Sequence, residues 1–294
     1  MLKIGYIGLG IMGKSIAANI LKGGFPLVVH NRSRASVAEL VAQGAEEAFS
    51  PAEVAQRVDV IFTNLPDSGD VEKVALGDDG IFQGAHHGLI FVDNSTIKPA
   101  VARKIAEVLD KAGVESLDAP VSGGDIGARD GTLAIMVGGP ENALNKVMPV
   151  LMAMGKTITH VGSSGAGQIA KAANQIMVAA QMVALGELLI LARKSGADPA
   201  KVVDAIRGGA AQCWTLDNKP PRLFAGQREP GFKASMQAKD LNIVLDTARE
   251  YGIPLAMTAV NAQLFSAMQE MGLGALDNSA VIAVIEKLAG CDLL

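Results

Sequence analysis

Sulfur and histidine are scarce in this chain, and their scarcity removes several chemistries at once. Cys213 and Cys291 are the only cysteines in 294 residues. They form no CxxC pair and suggest no disulfide framework, so a reducing cytoplasm is the expected setting. The four histidines, His30, His86, His87 and His160, lack partners at ligand spacing, so no zinc or other metal site is expected. Positive charge is not in excess either: 26 basic residues face 30 acidic ones, a net charge of -4. That balance argues against nucleic acid as a partner, because phosphate recognition relies on clustered Lys and Arg. One long apolar run exists, Ile176 to Ala192, but Gln181 and Glu187 interrupt it. Such a run is expected to be a buried core helix, with no membrane as partner. The strand-like Ile4-Gly5-Tyr6-Ile7 begins so near Met1 that no targeting segment is expected before it. No repeat of solenoid period and no low-complexity tract is visible.

Hydrophobic residues, at 49%, supply ample core. The first half alternates strand-like and helix-like segments. Strands are expected at Lys3–Ile7, Leu27–His30, Val58–Phe62, Leu89–Asp93, Val114–Leu117, Leu133–Val137 and near Thr157–Val161. Helices are expected over Ile11–Lys22, about Ala35–Gln43, after the capping box Ser50-Pro51-Ala52-Glu53, over about Pro99–Ala112, and after Pro140. Repeated β-α-β order implies a mostly parallel sheet covered on both faces. From about Gly165 the pattern becomes helical: a long run from Gly167 to Lys194, then helices near Pro199–Arg207, Ala234–Arg249, Ala259–Glu270 and Ser279–Leu288. The expected fold is therefore α/β: an N-terminal Rossmann-like doubly wound sheet (residues 1–163), then a long interdomain helix that opens a C-terminal all-α domain (164–294).

Chemistry enters with Gly8-Leu9-Gly10-Ile11-Met12-Gly13, a GxGxxG between a strand and a helix. Its glycines serve a tight turn, approach of a pyrophosphate to the backbone, and close packing of helix on strand. The second strand ends in His30-Asn31-Arg32-Ser33. A site for NAD usually places Asp or Glu there for the ribose 2'-hydroxyl. Here Arg32 suits a 2'-phosphate and Asn31 and Ser33 can hydrogen-bond it, so NADP(H) is expected over NAD(H). Arg32 as a solvated helix-start residue is the plainer alternative. Asn64-Leu65-Pro66 and Asn94-Ser95-Thr96 follow further strand ends, where ligands of open α/β sheets sit. Ser95 could equally be an ordinary N-cap for the helix near Pro99.

Hydride transfer also needs a proton carrier and a grip on the substrate. Lys171 and Asn174 lie three residues apart, on one face of an otherwise apolar helix. A lysine out of water exchanges protons nearer neutrality than an exposed one; a lysine snorkelling at a domain boundary is the competing reading. Ser122-Gly123-Gly124 offers a hydroxyl and two backbone N–H groups, suited to a carboxylate. Lys239 could pair with a carboxylate or approach the cofactor, or be plain surface charge.

Taken together, Gly8–Gly13, Asp118-Ala119-Pro120-Val121-Ser122-Gly123-Gly124, Gly167-Gln168-Ile169-Ala170-Lys171-Ala172-Ala173-Asn174-Gln175 and Lys239-Asp240-Leu241 resemble the β-hydroxyacid dehydrogenase family. That family includes 3-hydroxyisobutyrate dehydrogenase and tartronate semialdehyde reductase. Ala205-Ile206-Arg207-Gly208-Gly209 and Pro230-Gly231-Phe232 look most like the tartronate semialdehyde reductase branch. The resemblance implies an NAD(P)-dependent oxidoreductase acting on a small carboxylate-bearing 3-hydroxyacid or semialdehyde. Lys171 would be the general acid/base and Asn174 would hold that lysine or the substrate oxygen. Ser122, Gly123 and Gly124 would bind the carboxylate, with Thr96 and Lys239 near the nicotinamide. It also implies a homodimer or homotetramer. Asn31-Arg32-Ser33 departs from the Asp of NAD-preferring relatives, and Trp214, the only tryptophan, would reshape the expected pocket wall. An imine reductase, a 6-phosphogluconate dehydrogenase and a non-catalytic dinucleotide sensor or scaffold are the alternatives. Imine reductases generally lack the lysine that this chain keeps, and some non-catalytic relatives lose it; 6-phosphogluconate dehydrogenases need a longer helical domain and a phosphate-binding set not identifiable in this chain.

Overall fold

Short runs of β-branched and apolar residues, buried on both faces, are what a parallel sheet between two helical layers requires. A computed structural model describes residues 1–293 and shows such runs at residues 4–7, 27–30, 60–63 and 90–93. In chain order these elements are β1 (Ile4–Ile7), α1 (Gly13–Lys22), β2 (Leu27–His30), α2 (Arg34–Val41), β3 (Glu46–Glu47), α3 (Pro51–Arg57), β4 (Val60–Thr63), α4 (Ser68–Leu76) and α5 (Ile81–Gly84). They continue as β5 (Ile90–Asp93), α6 (Pro99–Asp110), β6 (Glu115–Asp118), β7 (Val121–Ser122), α7 (Gly124–Asp130), β8 (Leu133–Gly138), α8 (Glu141–Met154) and β9 (Gly155–Gly162). The sheet runs β3-β2-β1-β4-β5-β6-β8-β7, with β9 paired to β8. From β3 to β6 it is parallel, and β8 is antiparallel to β6.

This is the doubly wound order, whose reversal beside β1 opens the ligand-binding edge. The register lines up His30, Ile7, Thr63, Asp93 and Asp118 across adjacent strands at that carboxyl edge. Two apolar cores sandwich the sheet. One joins Ile16, Ile20, Tyr6, Phe62 and Leu144, and the other joins Val54, Phe91, Ile105 and Leu109.

Residues from Ala172 onward pack as a second compact unit, and the division falls between Lys171 and Ala172. The boundary lies inside the long helix α9 (Ala166–Lys194), whose first six residues therefore pack with the sheet. After it come α10 (Pro199–Ile206), α11 (Trp214–Phe224), α12 (Ala234–Glu250), α13 (Ala256–Glu270), a 3-10 turn (Asn278–Val281) and α14 (Ile282–Ala289). The apolar run of α9 is a core element: Ala179, Met182 and Val183 join Leu241 and Phe265, while Leu185, Leu189 and Ile190 join Val203 and Leu223. By length and apolarity alone α9 could cross a membrane, yet half of that stretch is buried in the protein.

The structure adds elements that the sequence pattern does not announce. β3 and β7 are two residues each, too short to show alternation. α7 begins at Gly124, after Gly123, and holds Gly127, which lowers helix propensity. α11 carries Pro220 and Pro221 inside it, where proline ordinarily breaks a helix. Tertiary anchors hold it: the buried Lys219 ammonium meets Asp277 Oδ1 at 2.7 Å and Asn278 Oδ1 at 2.9 Å. Thr215 adds a hydrogen bond to Gln181 at 2.8 Å. The expected last helix is split between the 3-10 turn and α14.

Candidate active site

Each glycine of the first turn has its own physical reason. Gly8 has φ +99°, and a Cβ there would lie 2.3 Å from the Asn64 carbonyl oxygen. At Gly13 a Cβ would lie 2.0 Å from the Gly8 carbonyl oxygen, so helix α1 could not approach the turn. At Gly10 an added Cβ would meet no protein atom within 4 Å. The protein itself does not need that glycine; a pyrophosphate approaching the backbone does. Leu9, Ile11 and Met12 complete the turn, which is braced when Leu9 N–H donates to Asn31 Oδ1 at 3.0 Å.

That bond changes the picture at the end of β2. The Asn31 amide also donates to the Ser33 carbonyl at 2.9 Å, so its side chain holds the turn together. Arg32 and Ser33 are exposed, and Ser33, at the N-cap of α2, makes no side-chain cap bond. Arg34 lies over the Phe49 ring, 5.0 Å from its centroid, and pairs with Glu47. Glu47 of β3 is thus neutralised from within.

The next strand ends are tied by a buried carboxylate. Asp93 Oδ1 accepts the Thr63 hydroxyl at 2.7 Å and the Ser95 N–H at 3.1 Å. Ser95 Oγ in turn accepts Leu65 N–H at 2.8 Å. Ser95 is therefore not the cap of α6, whose N-cap is Lys98; its hydroxyl instead fixes the Asn64-Leu65-Pro66 loop. Asn64 N–H adds a bond to the Ile7 carbonyl at 3.0 Å. Thr96, half-buried, follows directly.

At the end of β6, Asp118 grips the start of α9. Its Oδ1 accepts Gly165 N–H at 2.7 Å and its Oδ2 accepts Gln168 N–H at 2.9 Å. Burial pushes the Asp118 carboxyl up, against the pull of those N–H donors. Gly167 permits the approach, since a Cβ there would lie 2.3 Å from the Asp118 carbonyl oxygen. Gln168 binds back to the β5 end: its Oε1 accepts Ile97 N–H at 3.0 Å and its Nε2 donates to the Ser95 carbonyl at 2.8 Å. One turn on, Lys171 is only 7% exposed. Its Nζ donates to the Val121 carbonyl at 2.9 Å, immediately before Ser122, Gly123 and Gly124. The two glycines have φ +136° and +65° and turn the chain from β7 into α7.

Within the second unit Asn174 and Lys239 are joined by side chains. Asn174 Nδ2 donates to Gln175 Oε1 at 2.7 Å, and Gln175 Nε2 donates to Asp240 Oδ2 at 2.5 Å. Lys239 Nζ lies 3.0 Å from Asp240 Oδ1. The structure thus groups several of the expected residues: Lys171 with the Ser122–Gly124 loop, Asn31 with the glycine turn, Asn174 with Lys239. Asp93, Gln168, Gln175 and Asp240 carry these arrangements without having been singled out, although three lie inside the quoted motifs and Asp93 directly precedes Asn94-Ser95-Thr96. Trp214, expected in a pocket wall, opens α11, with Cys213 at its N-cap.

The glycine turn at the head of a doubly wound sheet defines a dinucleotide-binding protein. Residues 3–162 match the family model described as the NAD binding domain of 6-phosphogluconate dehydrogenase. Residues 165–285 match the model described as NAD-binding of NADP-dependent 3-hydroxyisobutyrate dehydrogenase. The chain is 40% identical over 290 residues to 2-(hydroxymethyl)glutarate dehydrogenase of Eubacterium barkeri, covering 98% of this chain and 96% of that one. It is 40% identical to 2-hydroxy-3-oxopropionate reductase of Escherichia coli, covering 98% of both. The crystal structure of 3-hydroxyisobutyrate dehydrogenase from Salmonella typhimurium superposes with a TM-score of 0.88 at 30% identity, covering 97% of this chain and all of that one. The chain belongs to the 3-hydroxyisobutyrate dehydrogenase family and is an oxidoreductase of the 3-hydroxyacid dehydrogenase class.

Asp93 gives the site a pH signature in stability. Burial outweighs the hydrogen bonds from Ser95 and Thr63, with Asp118 adding to the rise, and pushes its carboxyl from 3.8 to about 6. A carboxyl raised on folding stabilises fully below its unfolded value, and that stability is lost as pH rises through the folded value. Asp93→Asn keeps an acceptor oxygen but does not titrate. Between pH 4 and 7.5 the native protein should lose on the order of 3 kcal/mol that the variant keeps. Unfolding midpoints of both proteins at the two pH values check this; parallel trends would contradict it.

Proposed function

We propose that the protein interconverts a small carboxylate-bearing semialdehyde and its 3-hydroxyacid, using NADP(H) in preference to NAD(H). Tartronate semialdehyde with glycerate, and methylmalonate semialdehyde, are the candidate substrates, with succinic semialdehyde, which gives a 4-hydroxyacid, as a further one. The observation that carries the proposal is Lys171, buried and held at 2.9 Å by the Val121 carbonyl beside Ser122-Gly123-Gly124. One name among the relatives, 2-hydroxy-3-oxopropionate reductase, describes a carboxylate with an aldehyde on the third carbon.

The dinucleotide, when bound, supplies or accepts the hydride. The backbone of Gly8, Leu9, Gly10, Ile11, Met12 and Gly13 holds its pyrophosphate, and Arg32 with Ser33 grips the 2'-phosphate. Asn31 acts by bracing the turn. Asn64, Leu65, Pro66, Thr96 and Lys239 flank the nicotinamide half. The Ser122 hydroxyl and the N–H groups of Gly123 and Gly124 take the substrate carboxylate. In reduction, Lys171 Nζ gives a proton to the carbonyl oxygen; in oxidation it takes that proton from the hydroxyl. Val121 occupies one ammonium hydrogen, which orients the others. Asn174, three residues on along α9, binds the reacting oxygen or the ammonium.

Charge at the β2 end supports NADP. No carboxylate stands at Asn31-Arg32-Ser33, and Glu47 is already paired with Arg34. Exposed Met177 and Leu191 on α9, and Met257 and Val260 on α13, suit coverage by a second copy, hence a homodimer or homotetramer. Two unpaired thiols suit a cytoplasmic setting.

The test is nicotinamide absorbance with purified protein, NADPH or NADH, and a panel of carboxylate semialdehydes. One semialdehyde should drive NADPH oxidation, and Lys171→Ala should lower its kcat at least about a hundredfold while NADPH still binds. Substantial turnover by that variant would end the assigned role. Arg32→Asp should move the preference toward NADH; an unchanged ratio would end the 2'-phosphate account.

A further inference from the structure

The amide of Asn174 is not free to face either way. Amide O and N differ only in the partners they select, and in the second unit those partners form a chain with a definite sense. Its origin is Asp240, on α12 and 2% exposed. A carboxylate paired with a lysine, as here with Lys239 at 3.0 Å, only accepts hydrogen bonds. Its Oδ2 therefore selects the NH2 end of Gln175, at 2.5 Å. That choice turns Gln175 Oε1 toward Asn174 and selects the NH2 end again, at 2.7 Å. The end of Asn174 left uncommitted to Gln175 is Oδ1, an acceptor. Adjacent residues on a helix do not normally face each other, so the long Gln175 side chain must reach back to make this link.

We infer that Asp240 is a positioning residue that sets the polarity of Asn174 through Gln175, so that Asn174 offers an acceptor to the reacting groups. Asn174 then accepts a hydrogen bond, from an N–H of an ammonium or from the hydroxyl of the 3-hydroxyacid before Lys171 takes its proton; it does not donate to the carbonyl oxygen of the aldehyde. This rests on the placement of Asn174 beside the reacting oxygen under the proposed function and narrows its two roles to accepting ones. The same carboxylate joins Asn174 to Lys239, so the two candidate residues of the second unit share one anchor.

The experiment is a double-mutant cycle of Asn174→Ala and Gln175→Met, with kcat read in both directions and NADPH Kd read by fluorescence. Gln175→Met keeps the side-chain length and removes both polar ends. It should lower kcat on the order of tenfold in the native background, with NADPH Kd unchanged within about twofold. In the Asn174→Ala background the same substitution should cost less than about twofold, because its effect passes through an amide no longer there. Asp240→Asn, which can show either end to Gln175, should lower kcat similarly and add little to Gln175→Met. Equal losses in both backgrounds would mean a merely structural role and overturn the inference, as would unchanged kcat in either Gln175→Met or Asp240→Asn. Full turnover by Asn174→Ala would instead remove the placement of Asn174 itself, and the inference with it.

Discussion

The Asp118 carboxylate, buried at the end of β6 and bonded to Gly165 N–H and Gln168 N–H, is the constraint on which the rest depends. The first N–H groups of a helix have no partner within it. Leaving one buried and unmet costs about 1–3 kcal/mol. Asp118 meets two of them from a distant strand, and so fixes where α9 begins and how it is rotated. Lys171, one turn later, is thereby brought to the Val121 carbonyl, three residues beyond Asp118 itself. One strand end therefore positions both the helix and the ammonium it carries. The carboxylate-binding candidates Ser122, Gly123 and Gly124 are the next residues of the same segment.

Buried carboxylates recur as organising acceptors in both units. Asp93 ties β4 to β5 and, through Ser95, fixes the Leu65 loop. Asp277 accepts Lys219 and two groups of Ser279, which seats α11 against the 3-10 turn. Lys219 and the neighbouring donors hold its carboxyl below the usual range even though burial opposes them. Asp240 orders Gln175, Asn174 and Lys239. In each case burial makes the carboxylate demanding, and a donor from another element meets at least one of its oxygens.

Much of this is legible in the sequence because it is local. Strand and helix order follows from apolar periodicity, and the glycine turn from spacing. Two of its glycines are explained by protein packing, and Gly10 by the space it leaves. The glycine-, lysine- and aspartate-bearing motifs were sufficient to indicate the family. What the sequence does not show is which side chain reaches which. Asn31 reads as a phosphate ligand, and the sequence does not show that its amide also accepts Leu9 N–H and donates to the Ser33 carbonyl. Ser95 reads as a helix cap but holds Leu65 from a neighbouring strand. α11 is hidden by Pro220-Pro221 because its anchors lie about sixty residues away, at Asp277 and Asn278. Long-range hydrogen bonds leave no periodic trace.

Hydrogen exchange at the first turn of α9 tests the central claim most directly. If Asp118 holds that turn, the amides of Gly165 and Gln168 are protected as well as those of the core strands β5 and β6, although neither depends on a helical partner. Exchange of these two amides at the rate of exposed loop N–H groups would contradict it. Lys171 would then ride on a frayed end, and a fixed ammonium could not be the basis of the chemistry.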